Sequence, residues 1–469
     1  MIDTFGDMSS LKCFFEPKTV AVIGASSTIG KIGNVIFQNF AMGHHFKGKA
    51  YPVNPRLDEI LGIKCSASVK DIPDEIDLAV IAIPAKFVPQ VMQECGEKGV
   101  KCVIVISAGF SEIGGEGTLL EQEIIQITKK FHMRLIGPNC IGVFDANTNV
   151  DTIFLPIVRM SRPNLGPIAI VSQSGAFMSS LLDWTAAEGL GLSKAISIGN
   201  KADVDESDMF QYLSEDPLTK VITAYVESIK NGNKFIQITK RITKQKPIII
   251  MKAGRTKGGA SAAASHTGAL AVSDEVIDAI FKQVGLIRVE NSEQMLDLAN
   301  ALAFQPSTKE GGDRILVVTN GGGAGVMAVD KLEKLGLNVP ALSKDLQNQL
   351  MQHYPPYCVV HNPVDLSGDT DAERYRIALE LGLQSNEVDA ALVILLFQTP
   401  SLEIEAVEVV QNAQRFKKPI VVACVGGELA AVFSRKLEKF DIPVYPIPER
   451  AAFAMWGLVQ YGKWLHHVE

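Results

Sequence analysis

His266 stands in Ser265-His266-Thr267-Gly268-Ala269-Leu270, at the end of a run of small residues that begins near Ala253. The run follows an apolar, strand-like segment at 247–251 and carries Arg255 and Lys257 among Gly254, Gly258 and Gly259. Such a stretch has nothing to bury, so it predicts a mobile loop at a strand end. Neutral imidazole is nucleophilic near pH 7 and can hold a phosphoryl group for a time. A histidine there can also do no more than cap the next helix. Both readings stand at this point.

Other residues could serve a phosphate. Val171-Ser-Gln-Ser174-Gly175-Ala176 reads as a strand, a small turn and a helix start. Helix N-termini offer unpaired N–H groups and a favourable dipole to anions, so Ser174 and Gly175 are anion-site candidates; Ser174 as a plain N-cap is the alternative. Val317-Val-Thr-Asn320-Gly321-Gly322-Gly323 repeats the arrangement without the Gly-Lys-Ser/Thr of a P-loop. Glu227 closes the apolar run 221–226. A carboxylate at a strand end can fix an imidazole tautomer and support its charge, or can be merely exposed. Asp365, in Asn362-Pro-Val-Asp365, reads as part of an ordered turn, and Cys140 as a buried thiol.

The elements that position these residues form three α/β units. Apolar runs at 19–25, 49–54, 78–84, 102–109 and 134–139 make the first. Runs at 168–173, 193–199, 221–227, 247–251 and 286–289 make the second, and runs at 314–320, 391–397, 419–425 and 443–447 the third. Amphipathic stretches between them indicate parallel sheets with crossover helices. The expected domains are 1–150, 151–304 and 314–469, with an irregular link near 145–165 and the clearest linker at 305–313. Ligands in such sheets bind beyond the carboxyl ends of the strands.

Composition narrows the function. With 469 residues, 47% hydrophobic and 21% charged, the chain can bury several cores. A net charge of −7 without a basic stripe argues against nucleic acid. Apolar runs are strand-length, which argues against a membrane span, and no apolar leader precedes Asp7, so a cytoplasmic protein is expected. Seven cysteines without Cys-x-x-Cys predict reduced thiols and no zinc ribbon, and no metal site is expected.

The first turn, Gly24-Ala25-Ser26-Ser27-Thr-Ile29-Gly30, suits a phosphate but not NAD. Ser26 and Ile29 replace the second and third glycines of Gly-x-Gly-x-x-Gly. After the next strand stand Asn54 and Arg56, where NAD sites place an acidic residue. Arg56 suits an extra ribose phosphate, as in coenzyme A or NADP. Ser107-Ala108-Gly109 and Gly137-Pro138-Asn139 could face the same ligand.

Taken together, Ile23-Gly-Ala-Ser, Ile136-Gly-Pro-Asn-Cys140, Val171-Ser-Gln-Ser-Gly175, Glu227 and Ser265-His-Thr-Gly-Ala resemble the α subunit of succinyl-CoA synthetase. The chain resembles still more closely the α subunits of ADP-forming acyl-CoA synthetases, which fuse a further ligase domain like 314–460. The resemblance implies an α/β chain: a Rossmann-like CoA-binding domain followed by two flavodoxin-like ligase domains. It implies an acid–thiol ligase running acyl-CoA + ADP + phosphate to acid + CoA + ATP, with acetate as the default acid. His266 would be the phosphorylated histidine and Glu227 its supporting carboxylate. Ser174, Gly175, Asn320, Gly321 and Gly322 would hold phosphate. Gly24, Ala25, Ser26, Ser27, Asn54, Arg56, Pro84, Ser107, Ala108, Gly109 and Asn139 would contact CoA. Arg56 stands in for a lysine that the succinyl enzyme has near this position. An ATP-grasp β subunit would bring ADP/ATP and Mg²⁺, in an α2β2 assembly. The competing readings are a non-catalytic CoA-binding regulator, a ligase for another acid, and an NADP-dependent dehydrogenase.

Overall fold

The computed structural model describes residues 8–42, 46–259, 261 and 273–468. They divide into two compact units, Met1–Arg288 and Val289–Glu469. His266 and its neighbours lie outside the described residues.

The first sheet is built from Thr19–Ile23, Lys49–Val53, Leu78–Ile81, Cys102–Val105 and Arg134–Ile136, all parallel. Leu78–Ile81 and Cys102–Val105 are buried at every position, which is why they read as unbroken apolar runs rather than alternating ones. In space the order is second, first, third, fourth, fifth. The second sheet repeats that order with Leu165–Ser172, Leu192–Ser197, Val221–Val226, Ile248–Lys252 and Ile287–Val289. The sheet of the Val289–Glu469 unit repeats it again with Ile315–Thr319, Val364–Asp365, Ala390–Leu395, Ile420–Cys424 and Val444–Tyr445. Each sheet therefore has one switch point, between its first and third strands. There the crossovers leave to opposite sides and open a crevice at the carboxyl end.

Two expectations need correction. Residues expected as an irregular link hold a hairpin, Val143–Asp145 and Val150–Asp151, added antiparallel to the edge strand Leu192–Ser197 of the second sheet. Its polar residues are structural: Asp145 accepts from the N–H groups of Asn147 and Thr148 and pairs at 3.2 Å with buried Lys194, which also meets Asp216 at 2.9 Å. The other correction concerns thiols. Cys13, on the 3-10 helix Met8–Phe14, forms a disulfide with Cys102 at the start of its strand, Cα atoms 5.9 Å apart. Packing of the N-terminal segment against the sheet creates this pair, and a spacing of 89 residues gives no local sign of it.

In the second unit the helix Ser292–Phe304 packs against the long helix Pro448–Val468. Buried Asp297 holds it there through Arg450, at 2.6 Å, and by accepting the Tyr445 hydroxyl at its carbonyl. Among the described residues no helix is long and apolar enough to cross a membrane.

The disulfide predicts a thiol count. Denatured without reductant, the chain should expose the five free cysteines, 65, 95, 140, 358 and 424. After reduction it should expose seven. Seven reactive thiols without reductant would show that the pair is not formed.

Candidate active site

The switch point of the first sheet lies between the strands Thr19–Ile23 and Leu78–Ile81. Gly24 leaves the first of these at φ +90, and a Cβ there would collide with the carbonyl of Ala82 across the crevice. Glycine is required on both counts. The turn then runs longer than in a dinucleotide site, and the helix Ile32–Ala41 begins only after Lys31. Gly33, not residue 29, is the glycine that lets helix and strand pack closely, since a Cβ on it would strike the Gly24 carbonyl. Asn54 donates to Ala25 O at 2.8 Å and accepts from Arg56 N–H at 2.9 Å, so it shapes the turn and points the chain that carries Arg56. Asn34 donates to Ser26 O at 2.8 Å, while its buried Oδ1 has no partner among the described residues.

Pro84, Ser107–Gly109 and Asn139 follow the next strands of the same sheet, so parallel pairing brings every expected CoA residue to one sheet edge. Ser107 Oγ donates to Ile83 O and Ser107 O accepts from Asn139 N–H at 2.9 Å. Asn139 sits at φ +59 after a cis Gly137–Pro138 bond. Cys140 is buried, its thiol pushed up to about 12 by that burial, in keeping with an inert role.

The second sheet's switch point lies between Leu165–Ser172 and Val221–Val226, and it carries Gln173–Gly175 on one bank and Glu227 on the other. Ser174 caps the helix Gly175–Ala187 by accepting Phe177 N–H at 3.2 Å. The side chain is thereby spent as a cap. What remains for an anion is the backbone N–H of Gly175 and Ala176, which has no partner among the described residues. Gln173 bridges the crevice: its Oε1 accepts the N–H groups of Glu227 and Ser228. Glu227 lies close enough to Tyr225 for its charge to act on the phenol. Burial first, and then the Glu227 charge, push the Tyr225 phenol up to about 12, so it stays a donor.

Asn200 joins the two sheets of this unit. It accepts from Asn139 Nδ2 at 3.2 Å and donates to Glu112 at 2.6 Å and Glu121 at 2.9 Å. Glu112 in turn accepts the N–H groups of Gly109 and Phe110. Asn139 and Glu227 line one small cavity of about 80 Å³ together with Gln173, Asn200, Lys201 and Lys230. The turns expected to face CoA and the carboxylate at the end of Val221–Val226 thus meet at one place.

In the second unit, Asn320 ends the strand Ile315–Thr319 and Gly321 caps the helix Gly322–Lys334. Asn320 is 3% exposed and its side chain is fully engaged with Leu396 N and O, Thr399 Oγ1 and Tyr375 OH. It is a clamp across the switch point, like Gln173, and leaves only backbone to an anion. Removing it would orphan buried backbone groups at about 1–3 kcal/mol each. A Cβ on Gly322 would meet Asp365 Oδ2 at 2.7 Å, so that carboxylate lies over the helix start. Asp365, expected only to order its turn, therefore also flanks this helix start.

Known proteins match this arrangement. Residues 18–146 fit the CoA binding domain, 165–302 the succinyl-CoA ligase like flavodoxin domain, and 315–466 the ligase-CoA domain. The α subunit of ADP-forming acetate–CoA ligase I from Pyrococcus furiosus is 43% identical over 97% of this chain and 98% of its own length. The chain belongs to the family of ADP-forming acetate–CoA ligase α subunits. An ADP-forming 4-hydroxybutyrate–CoA ligase from Nitrosopumilus maritimus is 36% identical over 96% of this chain and 64% of its own. The solved dinucleotide-forming acetyl-coenzyme A synthetase 1 of Ca. Korarchaeum cryptofilum, in complex with phosphate and ADP, superposes with a TM-score of 0.88 at 37% identity, covering 96% of each chain.

Within this family frame, the residues that sequence reasoning passes over are Gly33, Asn34, Gln173, Asn200, Lys201, Tyr225 and Lys230. One signal is available. Ser172-Gln173-Ser174-Gly175 and Thr319-Asn320-Gly321-Gly322 share a hydroxyl, an amide and a small turn after a strand. The hydroxyls behave alike, Ser172 Oγ bonding Ser174 N–H and O, Thr319 Oγ1 bonding Gly321 N–H and O.

Glu112 makes the turn at Gly109 and Phe110 acid-sensitive. Burial raises its pKa, but hydrogen bonds from Asn200 and from the N–H groups of Gly109 and Phe110 outweigh this and lower it. Its contribution is complete above the unfolded value of about 4.3 and is lost as pH falls through the lower folded value. Glu112→Gln should therefore flatten the loss of stability with acid below roughly pH 4, read by urea titration. An unchanged acid slope would remove Glu112 from that role.

Proposed function

We propose that this chain is the acyl-CoA- and phosphate-handling subunit of an ADP-forming acyl-CoA ligase, with a small acid such as acetate as substrate. The observation that carries the reading is at the second switch point. The strand Ile248–Lys252, from which the His266 segment departs, pairs beside Val221–Val226, which ends at Glu227. Two strands over, the helix Gly175–Ala187 opens its N-terminus at the same edge.

In this reading CoA lies along the first sheet's edge, its phosphates over Gly24, Ala25, Ser26 and Ser27 and its ribose phosphate near Arg56. Asn54, Pro84, Ser107, Ala108, Gly109 and Asn139 shape the remainder. A turn of small residues at the switch point, leading into a helix start, suits a bound phosphate there. A phosphate oxygen attacks the thioester carbonyl carbon, the C–S bond breaks, and CoA leaves with a proton. A ring nitrogen of His266 then attacks phosphorus, and the P–O bond to the acyl group breaks, releasing carboxylate. Glu227 supports the imidazole through this step, and the N–H groups of Gly175 and Ala176 meet the phosphoryl oxygens. Gly321 and Gly322 offer a second such helix start, with Asn320 fixing its strand end. The phosphoryl group finally passes to ADP. We assign ADP and Mg²⁺ to an ATP-grasp β subunit, since the chain's glycine-rich turns lack a P-loop lysine, and we expect α2β2 symmetry. The Pyrococcus furiosus relative is named an α subunit, which supports a partner.

The histidine test uses the chain assembled with its partner. Acetyl-CoA and phosphate should give an acid-labile, base-stable phosphoprotein. His266→Asn should abolish both the label and ATP formation while CoA still binds. A fully active His266→Asn enzyme would end the phosphohistidine reading.

A second test concerns the ligand of the first sheet. Calorimetry should show CoA binding and no NAD(H) binding, with dephospho-CoA weaker than CoA. Arg56→Ala should narrow that difference. Equal affinity for CoA and dephospho-CoA in the wild type would remove Arg56 from the site.

A further inference from the structure

Two loops at the second sheet's carboxyl edge are tied together by lysines that run in opposite directions. Lys201, after the strand Leu192–Ser197, sends its ammonium to Ser228 O at 2.6 Å. Lys230, after the strand Val221–Val226, sends its ammonium back to Asn200 O at 2.7 Å and Lys201 O at 2.9 Å. These strands are not neighbours: Leu165–Ser172 lies between them and ends in Gln173 and the helix start. Two strand spacings come to roughly 10 Å, a span that calls for a long side chain with several donors. The clasp therefore crosses the end of the intervening strand, beside Gln173, the residue that leads into the helix start.

The clasp is anchored at both ends. Lys201 is 3% exposed and pairs at 2.9 Å with Glu206, itself 1% exposed. Its backbone sits at φ +56, a conformation lysine rarely adopts unless its surroundings impose it. Lys230 is an exposed residue, but its ammonium meets the carbonyls of Asn200 and Lys201. Burial pulls its pKa down, opposed by the nearby charge of Glu121. Between the two lysines, Ser228 has its N–H held by Gln173 and its carbonyl held by Lys201. Ser228, the residue that follows Glu227, is fixed at both of its backbone polar groups.

We propose that Lys201 and Lys230 are positioning residues for phosphoryl transfer, holding Glu227 at a set separation from the Gly175 helix start so that one phosphoryl group can meet both. The proposal rests on the phosphohistidine reading above. The lysines act through Glu227 and its loop and touch no reacting atom. Through Asn200, the same clasp also connects Glu227 to Asn139 and Glu112 on the CoA edge.

The test uses Lys230, because removing Lys201 would strand the buried Glu206 carboxylate and endanger folding. Lys230→Met and Lys230→Arg are compared with wild type by hydrogen exchange on the full chain. In the assembled enzyme, phosphoenzyme formation is timed with acetyl-CoA and inorganic phosphate, and CoA affinity is measured by calorimetry. Lys230→Met should speed exchange in segments 199–201 and 227–230. It should slow phosphoenzyme formation on the order of 100-fold with CoA affinity unchanged, and Lys230→Arg should recover most of the rate. Loosened loops with a wild-type rate would overturn the positioning role. So would CoA affinity falling in step with the rate, which marks a merely structural part. Unchanged exchange in Lys230→Met would refute the clasp itself. A wild-type enzyme that forms no phosphoenzyme would instead overturn the reading on which the proposal rests, a result the exchange data keep separate.

Discussion

Everything in the candidate site depends on one constraint: in a parallel sheet with the strand order second, first, third, fourth, fifth, the carboxyl end opens only where the order reverses. The chain meets that constraint three times. At each reversal a small-residue turn leaves the first strand, and the third strand ends across from it. Side chains must then hold the two banks at a distance that a phosphate can bridge. In the first sheet the banks approach so closely that only glycine fits at position 24. In the other two an amide side chain, Gln173 or Asn320, ties the banks together through backbone N–H groups.

That repetition shows where the two sites differ. Gln173 accepts from the N–H of Glu227, whereas Asn320 accepts from the N–H of Leu396. The carboxylate of the second sheet is thus replaced by an apolar side chain in the third. There a carboxylate comes instead from Asp365, on the strand to the other side of Ile315–Thr319, and lies over Gly322. The two helix starts are built alike but carry their negative charge on opposite flanks.

Much of this architecture is legible in the amino-acid sequence. Parallel strands buried on both faces leave unbroken apolar runs, so Leu78–Ile81 and Val221–Val226 stand out, and with them the residues at their ends. What stays hidden is polar and long-range. Asp145 and Asp151 read as link residues because their partners, Lys194 and Arg162, are identified only once the hairpin is placed. Lys201 and Lys230 do not stand out in the sequence, since nothing local shows that their loops face each other across an intervening strand. Cys13 and Cys102 read as unpaired for the same reason. Gly33 is passed over because the longer turn displaces it from the expected spacing.

The central claim is that the three reversals are binding sites with divided labour. The most direct measurement is a structure of the chain assembled with its partner in the presence of CoA and phosphate. The account predicts CoA phosphates over Gly24–Ser27 and a phosphate on the N–H groups of Gly175 and Ala176 beside Glu227. CoA or phosphate bound at the opposite, amino-terminal edge of these sheets, with the switch points unoccupied, would contradict it.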